Sequence, residues 1–143
     1  MDIITFQTHH LVKHDDLNHH GTLYAGRCAD WVVEAGFTAA ASITKPENIV
    51  CLKIHNLIFN KASHLGDLLR FESKVVYAGR SSLISYVRIL KNEQSILEAF
   101  ITFIHVDRDG KPIPHGITIT PTLPEDITLH KQAEQLHGNK ISQ

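Results

Sequence analysis

Between Arg27 and Ile43 the polar residues Arg27, Asp30, Glu34, Thr38 and Ser42 recur at every third or fourth position. The intervening positions carry Cys28, Ala29, Val32, Val33, Ala35, Ala39, Ala40 and Ile43, so the pattern predicts one helix with a narrow polar stripe. At about 1.5 Å per residue it spans roughly 27 Å. Before it, Asp15 to Gly26 is rich in Asp, Asn, His and Gly, the composition of a shaped loop. After it, Pro46 disfavours helical geometry at Lys45 and ends the element.

The rest of the pattern is strand-like. A first strand is expected within Met1–Lys13, which holds Ile3, Ile4, Phe6, Leu11 and Val12 without Gly or Pro. Four longer ones are expected at Ile49–Asn60, Leu68–Ala78, Ser82–Lys91 and Ser95–Asp107, separated by turns at His64–Asp67, Gly79–Ser81, Lys91–Glu93 and Arg108–Gly110. Arg70, Glu72 and Lys74 alternate with Leu69, Phe71, Ser73 and Val75, which marks a sheet with one wet face. Ser95–Asp107 is apolar on both faces and belongs at the centre of the sheet or under a partner. Short turns imply antiparallel neighbours, and a proline-rich tail ends in a weakly helical Glu125–His137.

The class is therefore α+β: a strand, a loop, one long buried helix, then four or five antiparallel strands. One helix cannot fill both faces of such a sheet, so an outer face or an edge is left for self-association.

Composition narrows the picture. The 143 residues suit a single domain, 1–143, of ordinary globular make-up, with 43% apolar and 20% charged residues. A net charge of −1 argues against bulk attraction to nucleic acid or anionic lipid, and no segment reaches the roughly 18 apolar residues of a membrane span. A cytoplasmic protein is expected. Cys28 and Cys51 are too few for a disulfide framework and read as buried free thiols. Of eleven histidines, His9, His10, His14, His19 and His20 crowd the N-terminal part, but neighbours on extended chain point to opposite sides, so no metal site is expected.

Read alone, the polar stripe is a solvent-facing edge. Two carboxylates, Asp30 and Glu34, near the start of an otherwise buried helix nevertheless make it the first place to look for chemistry.

Asp16-Leu17-Asn18-His19-His20-Gly21-Thr22-Leu23-Tyr24-Ala25-Gly26 followed by Trp31-Val32-Val33-Glu34-Ala35 resembles the signature of hotdog-fold acyl-CoA thioesterases, within the acyl-CoA hydrolase and 4-hydroxybenzoyl-CoA thioesterase superfamily: Asp-x-Asn-x-x-Gly-x-hydrophobic-aromatic-Gly-Gly, then Trp-Met-Asp-Glu-Ala. Lys61–Asp67 is similar to the family's Gly-Asp turn and Gly79-Arg80-Ser81-Ser82 to its Gly-Arg-Ser-Ser turn, so the resemblance runs over residues 8–107. It implies a hotdog fold with five or six antiparallel strands around the helix, paired chains with two sites at the dimer interface, and assembly onward to a tetramer or hexamer. The implied reaction is hydrolysis of an acyl-CoA thioester, with coenzyme A as part of the substrate and no separate cofactor.

By the same resemblance Asn18 orients water or thioester, and the N–H of Gly26 holds the carbonyl oxygen. A helix N-terminus suits that task because its donors are unpaired and its dipole is positive, one such donor being worth about 3 kcal/mol in the transition state. The sequence departs from the family at the acid. Aligned through Trp31 and Ala35, the catalytic Asp falls on Val33, and the first Gly of the pair falls on Ala25. Glu34, eight residues after Gly26, keeps the family's spacing if the pair is displaced by one, its longer side chain could also reach round the helix, and it would act either as general base on water or as nucleophile. Asp30 is the alternative, one turn before Val33 and about 60° from it.

Glu34 is preferred because a second resemblance includes it. His20, fourteen residues before Glu34, pairs with it as in hotdog β-hydroxyacyl dehydratases, although their proline-rich loop is missing. Arg80, Ser81 and Ser82 stand where coenzyme phosphates would be met, a task suited to a guanidinium fork. Each residue also has a plainer reading: Asn18 shapes a turn, Gly26 permits close packing, Glu34 pairs with Arg27, and Arg80 is a turn residue. Val33 leaves open a hotdog protein that binds acyl-CoA without turnover.

Overall fold

A computed structural model describes residues 1–141, so positions 142 and 143 of the expected domain lie outside the described residues. The elements run β1 (Phe6–Leu11), α1 (Ala25–Ser42), β2 (Ile49–His55), β3 (Leu68–Ala78), β4 (Ser82–Lys91), β5 (Gln94–His105) and α2 (Pro124–Ile141). The five strands make one antiparallel sheet in the order β1-β3-β4-β5-β2, leaving β1 and β2 as its edges. Asn92 and Glu93 both have positive φ, 51° and 65°, as a two-residue hairpin between β4 and β5 requires.

The sheet wraps α1. Trp31, Val32, Ala35, Ala39 and Ala40 of the helix share one apolar core with Phe71 of β3, Val87 of β4 and Ile101 and Phe103 of β5. All five residues of the polar stripe are exposed in the single chain. Helix and sheet approach closely at Gly36, whose carbonyl accepts a buried hydrogen bond of 2.8 Å from Ser85 Oγ. A Cβ there would lie 2.8 Å from Ile101 Cδ1 and 3.4 Å from Val87 Cγ2. Gly36→Ala is therefore expected to lower stability by ~1–2 kcal/mol, the overpacking exceeding the gain in helix propensity. Chemical denaturation should show a lower midpoint at unchanged slope.

The structure corrects several boundaries. β1 covers only six of the thirteen residues expected as strand, because Met1 turns away to the tail, its ammonium donating to the Thr118 carbonyl (3.1 Å) and its own carbonyl accepting from Thr120 N–H (3.2 Å). β2 stops at His55 rather than Asn60, since Asn56 adopts φ 49° and leaves the extended region. α1 begins two residues earlier than expected, and the weak tail helix extends over Pro124–Ile141. Cys28 is buried as expected, but Cys51 is exposed, because β2 is an edge strand.

The outer face of the sheet is not left wholly to a partner. Leu129 and Ala133 of α2 pack on Val76, Ile84 and Tyr86 of β3 and β4, with Phe100 of β5 at the margin. On β5 that contact reaches only Phe100. The expected wet face of β3 is a half-buried ionic layer: Glu72 pairs with Arg88 and Arg70, and Lys74 with Asp126 of α2. The edges remain, with Val50 and Leu52 exposed along β2. Among the described residues no helix is long and apolar enough to cross a membrane.

Candidate functional site

The loop before α1 is built around Asp16 and Asn18. Asp16, 3% exposed, accepts the Lys13 backbone N–H (2.9 Å) through Oδ2, and its Oδ1 lies 3.6 Å from Arg27 Nη1. Asn18 Oδ1 accepts the backbone N–H groups of His20 (2.9 Å) and Thr22 (3.2 Å), while its Nδ2 donates to Thr22 Oγ1 (3.0 Å). Gly21, at φ 78°, closes the turn. Leu23 N–H then bonds the carbonyl of buried Ser63 (2.8 Å), tying the loop to the segment before β3. Asn18 thus shapes its turn while its amide stays half-buried at the rim of a cavity.

That cavity, about 330 Å³, has Asn18, Thr22 and Ala25 on one side and Cys28, Phe59, Ile96 and Leu97 among its apolar walls. Burial pushes the Cys28 thiol up to about 11, so it is a neutral wall atom and no nucleophile. The start of α1 borders the cavity without a side-chain cap. The first intrahelical bond is Cys28 N–H to the Tyr24 carbonyl (3.0 Å), so the N–H groups of Ala25, Gly26 and Arg27 have no acceptor within the helix. Gly26 also has a packing role, because a Cβ there would strike the ring of Tyr24 at 2.5 Å. Tyr24, on the other side of that contact, is 57% exposed.

Glu34 lines a different and larger cavity, about 650 Å³, between α1 and the β1–β3 side of the sheet. Its other walls include Phe6, Thr8, His10, Trp31, Val33 and Thr38. One chain therefore separates Asn18 and Gly26 from Glu34, which stands eight residues, or roughly 12 Å, farther along the helix axis. Asp30 is exposed and lines neither cavity. His20 is exposed, its ring 3.9 Å from that of His19, and it shares no cavity with Glu34.

At the turn between β3 and β4, Arg80 is exposed and Ser81 half-buried, whereas Ser82 is only 2% exposed with its carbonyl bonded to Gly79 N–H (2.9 Å) and to His115 (2.9 Å). Ser82 sits beneath the turn, so only Arg80 and Ser81 are open to a phosphate. Among the described residues no group of His, Cys, Asp or Glu is placed to hold a metal ion.

Sequence reasoning passed over His10. Its ring stacks on Trp31 at 4.3 Å between centroids and 10° between planes, and meets Phe71 edge-on at 5.2 Å. Burial holds its pKa below the ordinary histidine value, opposed in part by the charge of Glu34. The only signal in the sequence was a histidine in a strand pattern, which does not reveal the aromatic residue beneath it.

A family model described as "Thioesterase superfamily" matches residues 20–98, more than half of the chain. The chain belongs to this superfamily. Among its relatives, the Bacillus subtilis protein YkhA, described as an uncharacterized acyl-CoA thioester hydrolase, is 29% identical over 126 residues, covering 84% of this chain and 72% of YkhA. A hexameric acyl-CoA thioesterase solved in its apo form superposes with a TM-score of 0.83 at 26% identity, over 96% of this chain and 91% of that one. The acyl-CoA hydrolase of Staphylococcus aureus, solved with butyryl coenzyme A and coenzyme A, has the same fold, with a TM-score of 0.80 at 23% identity over 96% and 84% of the two chains. The architecture of this superfamily member is the hotdog fold.

Proposed function

We propose that this thioesterase-superfamily chain hydrolyses an acyl-CoA thioester to the free acid and coenzyme A, at sites completed by two copies of the chain. The observation that carries the reading is the position of Glu34: a carboxylate lining the larger cavity, beside the residue that replaces the family's acid. The Staphylococcus aureus hydrolase has been solved with alanine in place of an Asn and of an Asp fifteen residues later. Asn18 and Val33 stand at that spacing here, which supports reading Val33 as the vacated acid position.

In this reading Glu34 supplies the negative charge that activates water. Asn18 and the N–H of Gly26 from the other chain receive the thioester, the oxyanion being held at the helix start. Arg80 and Ser81 meet the coenzyme phosphates. Coenzyme A arrives with the substrate, and no other cofactor is needed. A dimer fits the exposed edge strand β2, with assembly onward to a hexamer as named for one related thioesterase, and a cytoplasmic setting fits acyl-CoA as substrate.

Val33 favours a second reading, acyl-CoA binding without turnover. The test is free-thiol release from acyl-CoAs of several chain lengths, run beside hydration of crotonyl-CoA. Thiol release that Glu34→Gln removes supports hydrolysis. Hydration that depends on His20 would make the chain a dehydratase, and tight binding with neither reaction would leave the binding protein.

A further inference from the structure

We propose that His10 is the proton-carrying group of the larger cavity, with the Glu34 carboxylate holding the imidazolium that forms when His10 takes a proton from the attacking water. The inference rests on the hydrolase reading and specifies how its proton moves.

Three observations carry it. First, the His10 ring is fixed in place: Trp31 covers one face at 4.3 Å with near-parallel planes, and Phe71 presses against it at 5.2 Å and 84°. The ring so held is part of the cavity wall. Second, neither ring nitrogen has a hydrogen-bond partner among the described residues, so both the acceptor and the donor of the neutral imidazole remain for water and carboxylate. Third, Glu34 stands three residues after Trp31, on the adjacent turn of the same helix face, where Cβ atoms are about 5–6 Å apart. Both side chains line one cavity.

The charged groups that face His10 are Glu34 on α1 and Lys13 and Asp16 on the turn after β1. Asp16 is already engaged by the Lys13 backbone N–H and by Arg27, which leaves Glu34 as the carboxylate in the cavity. With its pKa held down by burial, His10 is neutral at pH 7 and ready to accept a proton.

The step balances. As the water oxygen bonds to the thioester carbon, one water proton passes to the His10 nitrogen and the carbonyl electrons move onto oxygen. When the tetrahedral adduct collapses, the C–S bond breaks and the thiolate takes that proton from the imidazolium. The products are carboxylic acid and thiol, and Glu34 neither gains nor loses a proton.

The test compares His10→Gln and His10→Phe with wild type in thiol-release kinetics between pH 5 and 9. His10→Phe keeps the stack on Trp31, so it separates packing from proton transfer. Both are expected to lower kcat about a hundredfold or more, to leave KM within about twofold, and to abolish the acidic limb of the kcat profile, which in wild type falls below pH 6.5. Retained kcat in either variant, or a lowered kcat whose acidic limb persists, overturns the inference. If both variants keep wild-type turnover while Glu34→Gln is inactive, the inference fails and the hydrolase reading stands. Absence of thiol release by wild type from every acyl-CoA overturns both.

Discussion

Glu34→Gln is expected to lower kcat for acyl-CoA hydrolysis by ~10²–10⁴-fold, with the fold and its stability left as in wild type. The substitution keeps the shape of the side chain and removes only its charge. Glu34 is exposed and its side chain makes no ion pair with a described residue, so the stability change should stay within about 0.5 kcal/mol. Its backbone carbonyl, which accepts Thr38 Oγ1 at 2.9 Å, is untouched. A large kinetic loss without a thermal shift would place the carboxylate in the chemistry. Turnover equal to wild type would return the polar stripe to its plain reading as a wet helix edge.

Asp126→Ala should have the largest effect on stability. Asp126 accepts a 2.6 Å hydrogen bond from Lys74 Nζ, and both side chains are largely buried, at 9% and 12% exposure. Removing the carboxylate leaves an ammonium enclosed between β3 and α2, with only the more exposed Glu125 at 3.9 Å to answer it. Breaking a pair of this kind costs ~3 kcal/mol, which corresponds to a fall in Tm of roughly 10 °C. The double change Lys74→Met with Asp126→Leu should recover most of that loss, because it removes both charges together. A Tm within about 2 °C of wild type for Asp126→Ala would show that the Lys74–Asp126 pair contributes little to holding α2.

Much of the fold was legible because its signals are local. The turns that flank β3 and β4 gave their bounds residue for residue, and the periodicity of α1 placed that helix to within two residues at its start and one at its end. The errors lie where a distant contact decides. Met1 to Thr5 has strand composition, yet the pairing of Met1 with Thr118 and Thr120 is set by a tail more than a hundred residues away. Asn56 is a turn-permissive residue whose positive φ could not be told from composition. The two apolar faces of β5 pointed to a central place or a partner, and the strand lies inside the sheet between β4 and β2, with α2 of the same chain reaching its Phe100.

The site was legible as residue types and less so as geometry. Glu34 stood out on the polar stripe, and Asn18 and Gly26 through the family resemblance, but position along a helix does not tell which cavity each side borders. Ser82 matched the turn motif and is buried, which the motif itself does not reveal. His10 was hidden among neighbouring histidines, since its role depends on the stack with Trp31 across the sheet edge.

In the proposed hydrolase, two chains complete one catalytic site around Glu34. The direct measurement is complementation between two inactive variants, Asn18→Asp, which keeps the acceptor that holds the turn, and Glu34→Gln, mixed under conditions that exchange subunits. A mixed dimer then contains one site with both native residues, so random exchange should restore about a quarter of wild-type thiol release. Mixed dimers that form, as shown by differently tagged chains, and yet release no thiol would contradict the account.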